Sequence, residues 1–204
     1  GIHSALDQAK STLIVMATGT GKTITFSSVA GEYMKRGRVM ILAHRAELIY
    51  QAQDKLMAVT GVEADIEMGE NHVAEFGVWQ SKAIVSTIQT QKAGMAGLGR
   101  MSKFNPDEFS LLIIDECHHS AAKSYREVID YYQQNAELKV LGVTATPDRA
   151  DELALGQIFE TVAYEYGIIE GITDGYLVPI SQRAVFVDGL DYSTIRTTAG
   201  DLNG

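Results

Sequence analysis

Short apolar runs alternate with segments of helical period along most of this chain. Each apolar run is bounded by polar residues, which is typical of strands that are buried on both faces of a parallel sheet. The intervening segments repeat their apolar residues every three to four positions, as amphipathic helices do. This alternation predicts an α/β fold in which a mostly parallel sheet carries helices on both faces through right-handed crossovers.

The same pattern places the individual elements. Strands are predicted over residues 12–17, 39–43, 64–67, 82–86, 111–114 and 139–143. Helices are predicted over about 22–35, 46–59 and 125–134, with a further helical segment after residue 86. Beyond about residue 180 the rhythm fades, so we expect one domain over 1–180 and a linker over 181–204. Within this linker, a crossing strand is expected over 180–188 and an untied end over 197–204.

Composition narrows the class of protein. With 46% hydrophobic residues, the 204-residue chain can bury a substantial core, so disorder is not expected. The single cysteine, Cys117, excludes an internal disulfide framework and fits a reducing compartment. The sequence has no transmembrane stretch and no secretion signal, so we expect no membrane partner and a cytoplasmic location. The net charge of −9 weighs against nucleic-acid binding, unless a few local groups and backbone amides carry it.

A glycine-rich stretch, MATGTGKT, follows the first predicted strand and precedes a predicted helix. Its glycines let backbone N–H groups converge on phosphate oxygens. Lys22 would reach the β- and γ-phosphates, and the Thr23 hydroxyl would ligate Mg²⁺. Met16 stands where the usual pattern has glycine, but the strand-to-helix context favours a phosphate site over an ordinary turn. The predicted cofactor-binding residues are Thr18, Gly19, Thr20, Gly21, Lys22 and Thr23.

Two adjacent carboxylates, Asp115 and Glu116, follow the apolar run LLII. At the carboxyl end of a parallel strand they lie where open α/β sheets bind their ligands. Asp115 would hold Mg²⁺ directly or through water, and Glu116 would orient and deprotonate an attacking water. A pair of solvated acids after a strand is the alternative, which the nearby phosphate motif disfavours.

Three further segments are candidates at the same edge of the sheet. The cluster Cys117-His118-His119 suggests zinc, but three consecutive residues do not easily converge on one tetrahedral ion, so we expect no zinc site. The hydroxyls of TATP, after the strand that ends near residue 143, could reach the carboxylates or a γ-phosphate. The starts of two helices, AHRAEL and STIQT, could contact a nucleic-acid backbone or be ordinary helix caps.

In order and spacing, these segments resemble the first RecA-like domain of a superfamily 2 helicase or translocase. The resemblance pairs MATGTGKT with motif I, AHRAEL and Gln51 with motif Ia, VSTIQT with a following nucleic-acid-contacting motif, DECHH with motif II, and TATP with motif III. It covers about residues 10 to 180 and points to the branch that type III restriction subunits share with XPB-like repair helicases.

The resemblance assigns roles to single residues, with ATP and Mg²⁺ as cofactors. The residues implied to carry ATP hydrolysis are Lys22, Thr23, Asp115 and Glu116, with Thr23 and Asp115 on the metal. The residues implied to couple the nucleotide site to strand movement and to a partner domain are His118, Thr144 and Thr146. The residues implied to face nucleic acid, DNA rather than RNA, are His44, Arg45, Thr87 and Gln89.

Family members also carry a second RecA-like domain whose arginines complete the ATP site, and its motifs are not visible in this sequence. The adenine-reading glutamine normally lies farther upstream than Gln8, so the start is expected to be truncated. We therefore expect the second RecA-like domain of the same polypeptide to be a partner. A transition-state arginine is worth ~10³–10⁵ in rate, so the isolated chain should hydrolyse ATP barely.

The leading hypothesis is thus the motor domain of a nucleic-acid-dependent helicase or translocase. One alternative is the ATPase subunit of a restriction enzyme, and another is a non-hydrolytic nucleic-acid-binding module that keeps the ATP cradle. A small-molecule kinase is disfavoured, because DECHH and TATP would have no purpose in it.

Overall fold

The fold is built on a parallel sheet. The computed structural model describes residues 1–73, 81–94, 99–145, 153–181, 196–198 and 201–203. The strands of the main sheet are β1 (Ser11–Met16), β2 (Arg38–Ala43), β3 (Asp65–Glu67), β4 (Ala83–Thr87), β5 (Phe109–Asp115), β6 (Lys139–Thr144) and β7 (Thr161–Tyr166). They lie in the order β3-β4-β2-β5-β6-β1-β7, and all described pairings in this sheet are parallel. The predicted α/β fold is confirmed.

Helices cover both faces of the sheet. They are α1 (Ile2–Gln8), α2 (Lys22–Tyr33), α3 (Ala46–Thr60), α4 (Ile88–Lys92), α5 (Lys123–Tyr132) and α6 (Ile168–Thr173). The first three pack apolar side chains into one core cluster, whereas α4 and α5 pack into a second cluster on the opposite face. Among the residues that the structure describes, no helix is both long and apolar enough to cross a membrane.

The two clusters explain why the apolar runs are continuous rather than alternating. Along β5, Leu112 and Ile114 belong to one cluster, while Leu111 and Ile113 belong to the other, and all four are fully buried. Burying each such side chain contributes about 1.5–3 kcal/mol. A strand of this kind is stable only where helices cover both of its faces.

The structure also contains elements that the hydrophobic pattern missed. The edge strand β7 is mostly exposed, so it lacks the apolar run that marked the inner strands. Helices α1 and α6 are short and carry few buried residues. The segment expected to be an untied end contains strands β8 (Arg196–Thr198) and β9 (Asp201–Asn203), which pair antiparallel with each other in a separate two-stranded sheet. Most of the strand expected over 180–188 lies outside the described residues.

Candidate nucleotide site

The carboxyl ends of β5, β6 and β1 lie side by side at one edge of the sheet. Asp115, the last residue of β5, pairs with Val143 of β6, and Thr144 of β6 pairs with Val15 of β1. The glycine-rich segment follows directly after Met16, the last residue of β1. Three motifs that are far apart in the sequence are therefore brought to one edge.

Residues 17–21, called here the glycine-rich loop, connect β1 to α2 in a tight curve. Gly19 and Gly21 have φ angles of +87° and +95°, a region that side chains with a Cβ rarely adopt. The loop is closed by the Thr20 hydroxyl, which donates a hydrogen bond to the Ala17 carbonyl over 2.6 Å. Because α2 begins at the next residue, the free N–H groups of its first turn open at this loop and favour an anion there.

Lys22, the first residue of α2, places its ammonium group in this site. Its side chain is only 11% exposed, and Nζ lies 3.9 Å from Glu116 Oε1. Within the described residues, Nζ is buried and has no hydrogen-bond partner. A buried ammonium with only a loose ion pair is unfavourable, so this group suits a bound anion that would satisfy it.

Asp115 is a buried carboxyl group with an altered acidity. Only 8% of the residue is exposed, and this burial raises its pKa to about 6, with a second contribution from the neighbouring Glu116 charge. The hydrogen bond from the Glu116 N–H to Asp115 Oδ1, at 3.0 Å, acts in the opposite direction but is the smaller effect. A carboxylate held under these conditions favours a nearby cation.

Glu116 adopts an unusual backbone conformation. Its φ is +50°, and it is the only described non-glycine residue with a positive φ. Such a conformation costs about 1–3 kcal/mol and is found where the surrounding structure requires it, often at functional sites. Here it brings the Glu116 carboxylate 3.9 Å from Lys22 Nζ and 3.4 Å from His118 Nδ1.

His118 joins the carboxylate pair to the end of β6. Its Nδ1 lies 3.2 Å from the Thr144 hydroxyl, which is almost fully buried. Cys117 instead points into a core cluster, where burial raises the pKa of its thiol. The Cys117 and His118 side chains therefore do not converge on one point. Thr146, the other expected coupling residue, lies outside the described residues.

The candidate nucleic-acid contacts lie next to this site, at the ends of β2 and β4. Ala43 and Thr87 pair across these strands, so the helices that follow begin side by side. Thr87 is a helix cap: its Oγ1 accepts the Thr90 N–H at 3.1 Å and donates to Thr90 Oγ1 at 2.8 Å. Its hydroxyl is therefore used inside the protein, and the capping alternative is the one observed.

The three other residues of that group have different surroundings. Arg45 and Gln89 are exposed, the first preceding α3 and the second in the first turn of α4. His44 is partly buried, and its Nδ1 lies 3.4 Å from the hydroxyl of Tyr125 on α5. Arg45 and Gln89 are thus the accessible pair, whereas His44 also contacts the helix that follows the acidic motif.

Sequence reasoning missed the neighbours that hold the glycine-rich loop from outside. The Ala17 N–H donates to the Tyr166 carbonyl at 2.9 Å, so the loop is tied to the end of β7. The side chain of Leu177, in the segment after α6, packs close to Gly19. No local signal could reveal either contact, because the partners are about 150 residues apart in the sequence.

The residues at this edge fit a nucleoside triphosphate with Mg²⁺. The unsatisfied Lys22 ammonium and the two positive-φ glycines suit phosphate oxygens. The Thr23 hydroxyl, in the first turn of α2, and the Asp115 carboxylate are oxygen ligands of the kind that Mg²⁺ prefers. Thr18 and Thr20, on the loop itself, are exposed and partly buried respectively.

Comparison with known proteins shows which family this chain resembles. Residues 2–149 match the family described as type III restriction enzyme, res subunit. IRC3 of Saccharomyces cerevisiae, which carries the name of an ATP-dependent helicase, is 33% identical over 98% of this chain and 30% of its own length. The type I restriction enzyme EcoAI endonuclease subunit of Escherichia coli is 33% identical over 94% of this chain and 24% of its own length.

A solved structure has the same fold. The Hef helicase domain of Pyrococcus furiosus superposes with a TM-score of 0.66 at 21% identity, covering 81% of this chain and 36% of that one. At this identity the likeness concerns the fold alone. The chain spans about a third or less of the length of the curated relatives reported above.

Proposed function

Because this chain belongs to the family of type III restriction enzyme res subunits, in which superfamily 2 helicases and restriction-subunit ATPases share one ATPase domain, we propose that it binds and hydrolyses ATP with Mg²⁺ to move along nucleic acid. In this proposal the chain is the first of two RecA-like domains of one polypeptide. Its partners are then the second domain and a nucleic acid, DNA rather than RNA.

One observation carries the proposal. The Lys22 ammonium is buried at the end of the glycine-rich loop, without a hydrogen bond among the described residues. Its nearest described counter-charge is a Glu116 oxygen at 3.9 Å. Burying a charge without a hydrogen-bond partner costs free energy unless a ligand pairs with it. Because Lys22 lies at the start of a helix, where backbone N–H groups favour anions, phosphate oxygens suit this position.

The chain's own residues then divide the work. Backbone N–H groups of the loop and of the first turn of α2 bind phosphate oxygens, and Lys22 compensates their charge. Thr23 and Asp115 hold Mg²⁺, which, when bound, neutralises charge on the phosphates. Glu116 accepts a proton from the attacking water. Its carboxylate is 3.4 Å from His118, and His118 reaches Thr144, so a change at the water is passed to the end of β6.

The site is half of a composite one. Hydrolysis is expected to need an arginine from a second domain, because such a group is worth ~10³–10⁵ in rate. The 204-residue chain should therefore bind nucleotide but turn it over very slowly. Nucleic acid would lie along the helix starts after β2 and β4, where Arg45 and Gln89 are exposed. Since the net charge is −9, this binding should be weak and sensitive to salt.

A second candidate function follows from one relative. The EcoAI match is named as an endonuclease subunit of a type I restriction enzyme. The parent of this chain would in that case use the same ATPase domain to translocate on DNA during restriction. ATP binding at Lys22 is common to both candidates, so it is the property to test first.

The test measures binding of a fluorescent ATP analogue with Mg²⁺ by anisotropy. Wild-type protein should bind it. Lys22→Ala should weaken binding roughly 10- to 100-fold, because a hydrogen bond to a charged group contributes about 1.5–3 kcal/mol. The control is Lys35→Ala, which removes a lysine with a 69% exposed side chain two residues beyond α2 and should leave the affinity unchanged. Equal affinity of wild type and Lys22→Ala would exclude the proposed site.

A further inference from the structure

The segment after β7 lies over the outer side of the glycine-rich loop. Helix α6 is followed by a turn at Gly175, whose φ is +80°, and the Leu177 N–H then donates to the Gly171 carbonyl at 2.9 Å. The Tyr166 hydroxyl at the end of β7 donates to Asp174 Oδ2 at 2.7 Å, which fixes the start of the segment to its turn. After α6 the chain therefore turns back, so that Leu177 lies beside Gly171 of the helix.

Within this segment, the side chain of Leu177 packs against the protein. It is partly buried, whereas its neighbours Tyr176 and Val178 are 72% and 84% exposed. A Cβ built on Gly19 would lie 3.3 Å from Leu177 Cδ2. A Cβ built on Gly171 would lie 2.8 Å from Leu177 Cδ1 and 3.3 Å from Thr20 Cγ2. The leucine methyl groups thus lie against Gly19 and Gly171, with Thr20 beside them.

We propose that Leu177 is a positioning residue that holds the glycine-rich loop in its nucleotide-binding conformation. The inference rests on the proposed function for its effect on nucleotide affinity, but not for its effect on the loop. The aliphatic side chain of Leu177 has no polar group to offer a phosphate; its role is to restrict Gly19 and Thr20, two adjacent residues of the loop. The Ala17–Tyr166 hydrogen bond anchors the loop's beginning, and α2 anchors its end.

The physical reason is conformational entropy. A loop with glycines at Gly19 and Gly21 has many accessible conformations, and ordering it when a ligand arrives reduces affinity. A side chain that restricts the loop beforehand removes part of that loss, as preorganisation does elsewhere. The absence of a side chain at Gly171 is what leaves room for Leu177 at this distance.

The first measurement is hydrogen exchange of the loop, which does not depend on nucleotide. Leu177→Ala should speed exchange of the amides of residues 18–22 by roughly fivefold or more, while amides of β2 exchange as in wild type. Leu177→Met, which keeps the bulk, should restore the slow exchange. Ile169→Ala is the matched control, since it truncates an aliphatic side chain on α6 that is 76% exposed. Should Leu177→Ala fail to fold, Leu177→Val gives the same reading with a smaller effect.

The second measurement is affinity for the fluorescent ATP analogue with Mg²⁺. Leu177→Ala should bind it roughly fivefold more weakly, which corresponds to about 1 kcal/mol. Leu177→Met and Ile169→Ala should bind as wild type does. Gly171→Ala should also weaken binding, because its new methyl group displaces Leu177, even though alanine is the better helix former.

The two measurements separate the proposals. If wild-type protein does not bind the analogue, the proposed function fails, and loop exchange alone still decides the role of Leu177. If Leu177→Ala leaves loop exchange unchanged, the inference is overturned whatever the nucleotide result. If exchange rises but affinity matches wild type, Leu177 is a structural contact only and not a positioning residue for nucleotide.

Discussion

Two clusters of charged groups lie at the same edge of the sheet, and the buried charge in each is satisfied to a different degree. At the end of β3, the fully buried Glu67 carboxylate accepts the Val73 N–H at 2.8 Å. It also contacts Arg100 Nη1 at 3.3 Å, the Lys103 ammonium, and His72 Nδ1 at 3.5 Å. The ammonium of Lys22, in contrast, has no hydrogen bond among the described residues. The Glu67 carboxylate is thus satisfied by described residues, whereas the Lys22 ammonium is left for the ligand that we propose.

The Glu67 cluster extends into the core as a chain of hydrogen bonds. The Ser86 hydroxyl donates to the Glu67 carbonyl at 2.7 Å, and the Gln91 amide donates to Ser86 Oγ at 2.8 Å. The Tyr132 hydroxyl donates to Gln91 Oε1 at 2.8 Å. This chain joins β3, β4, α4 and α5, so it fixes the turn that carries the candidate nucleic-acid contact Gln89. The satisfied buried charge of Glu67 therefore stabilises the fold, whereas the buried Lys22 charge near β1 is the one that we propose binds a ligand.

The largest expected effect comes from the satisfied cluster. Glu67→Gln keeps the shape of the side chain but leaves Lys103 and Arg100 without their buried anion. Breaking a buried ion pair by removing one partner costs about 3–5 kcal/mol, so the free energy of unfolding should fall by about that much. Urea denaturation followed by circular dichroism measures it. Glu137→Gln, at an exposed position, is the control, and an equal change in both variants would mean that the cluster does not hold the fold.

A smaller effect, dependent on pH, is expected at Asp115. Because its folded pKa is raised from 3.8 to about 6, the folded state binds this proton more tightly than the unfolded state does. The free energy of unfolding should therefore fall as pH rises from about 4 to 6, and the loss stays complete above pH 6. For a shift of this size the loss is on the order of 3 kcal/mol.

Asp115→Asn removes the ionisable carboxyl group, so comparing this variant with wild type isolates the contribution of Asp115 to the pH dependence of the free energy of unfolding. Urea denaturation at pH 4, 5, 6 and 7 should show the variant gaining stability relative to wild type as pH rises, with most of the gain reached by pH 6. Mg²⁺ with nucleotide should stabilise wild type at pH 7 and not the variant. A stability difference that is constant across this range would show that Asp115 does not have the raised pKa.

The two clusters also differ in how far the sequence could predict them. Lys22, Asp115 and Glu116 each follow a predicted strand at a recognisable spacing, so parallel strands alone bring them to one edge. Glu67 lies in the short strand predicted over residues 64–67, and its partners Arg100 and Lys103 are more than 30 residues away. The charge of the buried Glu67 carboxylate is compensated by these distant partners, so the local sequence around Glu67 does not indicate that it is buried.

The same limit applies near the nucleotide site itself. The positive φ of Glu116 and the packing of Leu177 on Gly19 arise from tertiary contacts, which a local pattern does not encode. Thr87 shows the reverse case, since its suitability as a helix cap could be seen in the sequence and is what the structure uses. Local chemistry was therefore predictable, and the contacts that tune it were not.

The smallest expected effect sharpens the comparison most. Lys22→Met keeps most of the side-chain volume but removes the ammonium, for which the described part of the chain provides no hydrogen bond. Loss of its attraction to Glu116, 3.9 Å away, is offset by the desolvation that the buried charge no longer suffers. The free energy of unfolding without ligand should thus stay within about 1 kcal/mol of wild type, far from the loss expected for Glu67→Gln. Urea denaturation without and with the Mg²⁺ nucleotide should show that only wild type is stabilised by ligand. A loss of several kcal/mol in the free protein would mean that Lys22 supports the fold as Glu67 does, and that the difference between the two clusters is one of geometry and not of purpose.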